Sequence, residues 1–134
     1  MTQLHRVFIL LCLLLSCGMQ TAANADSLAQ EVDSIYQSKL KDLFLYFHQN
    51  PELSTMEHQT SARLADELAS LGFTVHRGVG GTGIVALMEN GEGPLVMFRA
   101  DMDGLPVEEK TGASYASKST ALNAEGQEVF TMHA

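Results

Sequence analysis

Cysteine is scarce in this sequence of 134 residues. Its two cysteines, Cys12 and Cys17, both lie in an N-terminal apolar run from Val7 to Met19. That run has 13 residues, whereas a helix needs about 20 to cross a bilayer. We therefore expect no disulfide in the chain that follows the run, and no stable membrane span.

The apolar run has the form of a signal peptide. Arg6 precedes it, and the small-x-small sequence Ala23-Asn24-Ala25 that follows is typical of a signal-peptidase site. We predict a signal peptide at residues 1–25, a mature segment at residues 26–134, and a periplasmic or secreted location. The alternative is a lipoprotein anchored through Cys17, because Leu14 to Gly18 resembles a bacterial lipobox.

Basic residues are also few. Removal of residues 1–25 leaves 7 basic and 16 acidic side chains, a net charge of −9. Such an acidic chain is not expected to bind nucleic acid or an anionic membrane. A chain of 134 residues has the length of a single domain at most, so a complete two-domain enzyme is not expected to fit in it.

Hydrophobic periodicity predicts two helices. Apolar residues recur at three- and four-residue steps from Leu28 to Phe47 and again from Leu64 to Leu71. Ser54 and Glu57 have the spacing of a capping box before the second helix. Gly72 is expected to terminate that helix.

Beyond Gly72 the pattern changes to that of strands. Ile84 to Met88 favours a strand, and Asn90-Gly91 predicts a tight hairpin turn. Leu95 to Phe98 is apolar at each position, which predicts a strand buried on both faces in the middle of a sheet. The chain beyond Pro106 is polar and predicted to be loop-like. The predicted fold class is α/β, with two helices followed by strands of a largely buried sheet.

A glycine-rich segment, Gly78 to Gly83, satisfies the dinucleotide pattern G-x-G-x-x-G. That fingerprint must open a helix whose N-terminus holds the pyrophosphate. Here the strand-like run Ile84 to Met88 follows instead. The segment is therefore predicted to be a hairpin link and not a nucleotide site.

Two aspartates, Asp101 and Asp103, follow the predicted buried strand. Active sites of open α/β sheets gather at the C-terminal ends of strands. In an extended chain the two carboxylates would project to the same side, where a divalent metal or Arg99 would relieve their repulsion. The alternative is that both carboxylates cap turns.

Several motifs occur in order from about Tyr46 to the last residue. They are His48 to Ser54 with Glu57 and Thr60, Gly81 to Ala86, Arg99 to Pro106, Glu108-Glu109, Thr111-Gly112, Tyr115 to Ser117, and Met132 to Ala134. Together they resemble the amidohydrolase branch of the aminoacylase and carboxypeptidase metallopeptidases. That branch includes N-acyl-amino-acid amidohydrolases, hippurate hydrolases and plant auxin-conjugate hydrolases.

The resemblance implies the N-terminal part of an α/β catalytic domain that binds two divalent metal ions, zinc, manganese or cobalt. A smaller lid or dimerisation domain interrupts such domains, so a homodimer is an expectation. The implied reaction is hydrolysis of the amide bond of an N-acyl amino acid or a related small amide. The metals lower the pKa of a bound water and polarise the carbonyl, and a glutamate takes the proton.

The resemblance also assigns roles to residues. In this branch Met-His-Ala is continued by Cys-Gly-His-Asp, so the main metal ligands are expected after Ala134, and no residue of this chain is a certain ligand. Asp103 keeps the place of an aspartate that orients a metal-binding histidine in sister branches. Asp101 takes that histidine's place, and Asp101 and His133 are expected to line the site.

Two further motif residues are expected to have structural roles. His48 is expected to make a helix-terminus or core contact, and Glu52 to cap the turn that follows it. Three functions stay open from the sequence: a hydrolase when complete, a truncated product without catalysis, and a module that binds a small amide. An intact downstream reading frame would favour the first of these.

Overall fold

The computed structural model describes residues 25–133, which divide into two units at residues 43 and 44. Residues 1–24 and Ala134 lie outside the described residues. The predicted signal peptide, except Ala25, and the alternative anchor Cys17 therefore lie outside them too. No helix within residues 25–133 is long and apolar enough to cross a membrane.

The first unit is helical throughout its described part. Helix α1 covers residues 25–35, and a π-helical turn, Tyr36–Leu40, connects it to helix α2, Lys41–Gln49, which continues into the second unit. Within this unit Ser38 Oγ donates to the carbonyl of Ser34 at 2.7 Å. The helix predicted from residue 28 to residue 47 is confirmed, with a π turn that the periodicity did not indicate.

The second predicted helix is helix α3, His58–Ser70. It ends in the hydrogen-bond pattern of a Schellman motif. Gly72, at φ +91°, donates its N–H to Ala69, and Phe73 donates to Leu68. The prediction that Gly72 terminates this helix is confirmed.

The start of α3 is capped by Glu52 from a preceding turn. Its two carboxylate oxygens accept the N–H groups of Gln59 at 3.1 Å and Thr60 at 2.7 Å. These donors have no partner inside the helix, and the negative charge suits the positive end of the helix dipole. Glu52 was expected to cap the turn that follows it and caps the start of α3 instead, and the capping box predicted from Ser54 and Glu57 is wrong.

Two short antiparallel hairpins follow. Strands β1, Thr74–Val79, and β2, Gly83–Leu87, form the first, and strands β3, Thr120–Leu122, and β4, Glu128–Phe130, form the second. The second hairpin lies in the stretch that was predicted to be loop-like. Its turn is held by Asn123, whose side-chain oxygen accepts the N–H groups of Glu125 and Gln127.

The glycine-rich segment forms the turn between β1 and β2, as predicted. A side chain at Gly83 would place its Cβ 2.4 Å from the carbonyl oxygen of Val79, so only glycine fits there. A strand and not a helix follows the glycines. The segment therefore lacks the helix that a dinucleotide-binding fingerprint requires.

The prediction of a largely buried sheet is wrong for the described residues. Leu95 to Phe98 form no strand there, and the exposed fractions of their side chains run from 68% to 95%. The hairpin predicted at Asn90-Gly91 is also absent from residues 25–133. A strand buried on both faces needs hydrogen-bonded neighbours and covering layers, and none of the described residues supplies them to this run.

Helix α3 packs against the β1–β2 hairpin, and the buried residues of the second unit are mostly polar. Its buried apolar residues are Pro51, Leu53 and Ala65. The polar ones are Glu57, Thr60, Ser61, Ser117 and Thr131. Among the described residues no buried side-chain nitrogen or oxygen lacks a hydrogen-bond partner, as a stable interior requires.

Candidate functional site

Three of the motif segments meet through backbone hydrogen bonds. The Gly104 N–H donates to the Glu52 carbonyl at 2.6 Å. Leu105 and Met132 exchange two hydrogen bonds, at 2.7 Å and 3.1 Å, in an isolated antiparallel bridge. The segment carrying the two aspartates therefore lies between the turn after α2 and the end of the described chain.

Asp101 lies on the surface of this junction. Its carboxylate pairs with the Arg99 guanidinium at 2.5 Å, and both side chains are well over half exposed. The sequence left two cations that could relieve the repulsion between Asp101 and Asp103, a divalent metal or Arg99. The structure places Arg99 beside Asp101. An exposed ion pair of this kind contributes little stability.

Asp103 and His133 lie closer to the centre of the junction. Each is half-buried, and each is next to a residue whose backbone is anchored, Gly104 and Met132 respectively. The antiparallel pairing of Leu105 with Met132 puts Gly104 and His133 in neighbouring register positions. The structure thus brings the segments of Asp103 and His133 together, while their roles stay predictions.

The metal donors of the described residues do not fit a two-metal centre. Within residues 25–133 no three His, Cys, Asp or Glu side chains lie together in a way that could hold a metal ion. A metal site in a protein normally needs at least three such ligands. The ligands that the resemblance implies are those expected beyond Ala134.

Sequence reasoning missed a pair at this junction, His48 and Glu109. Nε2 of His48, in the last turn of α2, lies 3.0 Å from both carboxylate oxygens of Glu109. The imidazole also contacts Tyr115 edge-on, with ring centroids 5.2 Å apart. The two residues are 61 positions apart, so no local pattern could have indicated their contact.

Glu109 collects two further hydrogen bonds. Thr111 Oγ1 and the Ser117 N–H each donate to its carboxylate at 2.5 Å. The bond from Thr111, the bond from Ser117 and the contact with His48 hold the pKa of Glu109 below its ordinary value, against the opposing effect of burial.

Glu57 organises the turn between α2 and α3 in a similar way. Its carboxylate accepts the Thr55 N–H at 2.9 Å and the hydroxyl of Thr82, in the β1–β2 turn, at 2.5 Å. Thr55 has φ +68°, a conformation that β-branched residues rarely adopt. Burial raises the pKa of Glu57, but the hydrogen bonds outweigh it, so this pKa also lies below its ordinary value.

Comparison with known proteins identifies the family. No protein-family model matches the chain. It is 40% identical over 90 residues to an N-acetyl-L-cysteine deacetylase of Bacillus subtilis, an alignment that covers 66% of this chain and 22% of that protein. The chain belongs to the amidohydrolase branch that its motifs predict.

Two more of these relatives widen the range of named activities. A hippurate hydrolase of Campylobacter jejuni is 35% identical over 83 residues, which cover 61% of this chain and 22% of that protein. Thermostable carboxypeptidase 2 of Saccharolobus solfataricus is 47% identical over 73 residues, which cover 53% of this chain and 19% of that protein. The chain thus spans about a fifth of the length of these relatives.

The lowered pKa values predict acid sensitivity of the fold. The unfolded chain binds more protons than the folded one once the pH falls below about 4.5, so stability present above that pH is lost as the pH falls through the folded pKa values. In Glu57→Gln the loss between about pH 6 and about pH 3 should be smaller, because one of the two groups no longer titrates.

Urea-unfolding midpoints across this pH range measure the effect. Glu92→Gln, which changes a carboxylate on an exposed residue, is the control and should keep the wild-type pH dependence. An unchanged pH dependence in Glu57→Gln would contradict the role given to the Glu57 hydrogen bonds.

Proposed function

We propose that this chain is the N-terminal part of the catalytic domain of a hydrolase that cleaves the amide bond of N-acyl amino acids or related small amides. The observation that carries the proposal is that three motif segments, within residues 48–54, 99–106 and 132–133, meet at one junction. The names of the relatives, an N-acetyl-L-cysteine deacetylase and a hippurate hydrolase among them, support the substrate class.

Within this proposal the residues of the junction have separate tasks. Asp103 orients a metal-binding side chain contributed by a later part of the polypeptide, as its place in the motif implies. His133 lines the site next to the expected ligands. Asp101, which the motif places at the lining of the site, forms an exposed ion pair with Arg99, and in this proposal it does not touch the substrate.

The proposed protein depends on divalent metal, zinc, manganese or cobalt, held by ligands beyond Ala134. When bound, the metal would polarise the scissile carbonyl and activate water. The described residues contribute the support around that centre. A homodimer formed through a domain outside this chain belongs to the same proposal.

The complete protein should hydrolyse N-acetyl and N-benzoyl amino acids, with free amino acid as the measured product. Exhaustive chelation should abolish the turnover, and added zinc, manganese or cobalt should restore it. Binding of N-acyl amino acids without turnover would instead identify a binding module. If the protein shows no binding and no turnover, it is a truncated product without catalysis.

Asp103 and Asp101 offer a matched pair of variants in the same assay. Asp103→Asn should lower kcat by roughly 10- to 100-fold, the usual effect of losing a residue that orients a metal ligand. Asp101→Asn should stay within about threefold of the wild type, because it removes only an exposed ion pair. Equal losses in both variants would contradict the separate roles.

We also propose that the protein is exported by a signal peptide at residues 1–25, on the sequence features described above. N-terminal sequencing of the mature protein should return Asp26 as its first residue. A first residue of Met1 or Thr2 in the exported protein would contradict cleavage. Partition of the mature protein into detergent would point to the lipoprotein anchored through Cys17.

A further inference from the structure

A buried carboxylate, that of Glu109, connects α2 to the junction. Its side chain has no exposed surface, and that of His48 is 15% exposed. Of the donors to this carboxylate, Thr111 and Ser117 are within eight residues of Glu109. The donor from a distant part of the chain is His48.

The hydrogen bonds continue from Glu109 to the segment of His133. Ser117, whose N–H binds Glu109, donates its hydroxyl to the Thr131 carbonyl at 2.8 Å. Thr131 is 1% exposed and directly precedes Met132. Met132 in turn pairs with Leu105, two residues after Asp103.

A second hydrogen bond, besides that of His48 with Glu109, joins α2 to the same segment. The Ser119 hydroxyl donates to the carbonyl of Gln49, the last residue of α2, at 2.8 Å. The end of α2 therefore holds the 109–119 segment at two points. The charged one is His48 with Glu109.

We propose that His48 and Glu109 are a positioning pair, which sets the placement of the Asp103 and His133 segments for hydrolysis. The proposal rests on the proposed hydrolase function. Neither residue is expected to touch the substrate. Their effect passes through Ser117, Thr131 and the bridge between Leu105 and Met132.

The donors to Glu109 differ in what they connect: Thr111 lies in the same loop, whereas His48 lies on α2. Loss of Thr111 as a donor would weaken a contact inside the 109–117 loop and leave its attachment to α2. Loss of the His48 donor would leave the loop's own hydrogen bonds, but its charged attachment to the helix would be lost and the Ser119–Gln49 hydrogen bond would remain. Misplacement of supporting groups by about 1 Å can reduce turnover by about 100-fold.

The test compares two variants of the complete protein that each remove one donor to Glu109. His48→Phe keeps an aromatic ring beside Tyr115 but has no N–H group. It should lower kcat by roughly 10- to 100-fold with KM within about threefold. Thr111→Val removes the local donor and should keep kcat within about threefold of the wild type.

His48→Gln provides a rescue, because its amide can donate to the same carboxylate. It should recover most of the activity that His48→Phe loses. Circular dichroism melts establish that each variant is folded at the assay temperature. If His48→Phe does not fold, His48→Leu, which also lacks a side-chain donor, takes its place.

Wild-type kcat in the donor-free His48 variant, or an equal loss in Thr111→Val, would overturn the positioning role. Those results would leave the hydrolase function intact, because the wild type would still turn over substrate. Absence of hydrolysis in the wild type would reject the proposed function itself, together with the positioning role that depends on it.

Discussion

The buried Glu109 carboxylate is the constraint on which the junction depends. A buried charge is costly unless it is paired and hydrogen-bonded. Glu109 meets that requirement with donors from His48, Thr111 and Ser117. Thr111 and Ser117 belong to the same loop as Glu109, whereas His48 attaches that loop to α2.

Two more glutamates organise their surroundings by the same chemistry. Glu52 caps α3, and Glu57 connects the turn at Thr55 to the β1–β2 turn. Backbone N–H groups that would otherwise lack partners are satisfied by carboxylates in both places. The motif glutamates Glu52, Glu57 and Glu109 therefore stabilise the local structure of this chain. Asp101 and Asp103, which follow an exposed apolar run, differ from them in lacking such backbone contacts among the described residues.

The sequence predicts the local features well and the distant ones poorly. The helices, Gly72 and the glycine-rich turn follow from periodicity and backbone conformation, which neighbouring residues determine. The burial of Leu95 to Phe98 depends on neighbours from elsewhere in a polypeptide, and residues 25–133 do not supply them. The contact of His48 with Glu109 leaves no trace in local spacing. Ser54 and Glu57 have the spacing of a capping box, yet Glu52 reaches the helix end instead.

A double-mutant cycle measures how strongly His48 and Glu109 depend on each other. The single variants His48→Phe and Glu109→Gln and the double variant are compared with the wild type by urea unfolding of the complete protein. If the two side chains stabilise the junction through each other, the double variant loses clearly less stability than the two single losses added together. Additive losses would show that the contact does not couple α2 to the loop, and would contradict the role given to the buried Glu109 carboxylate.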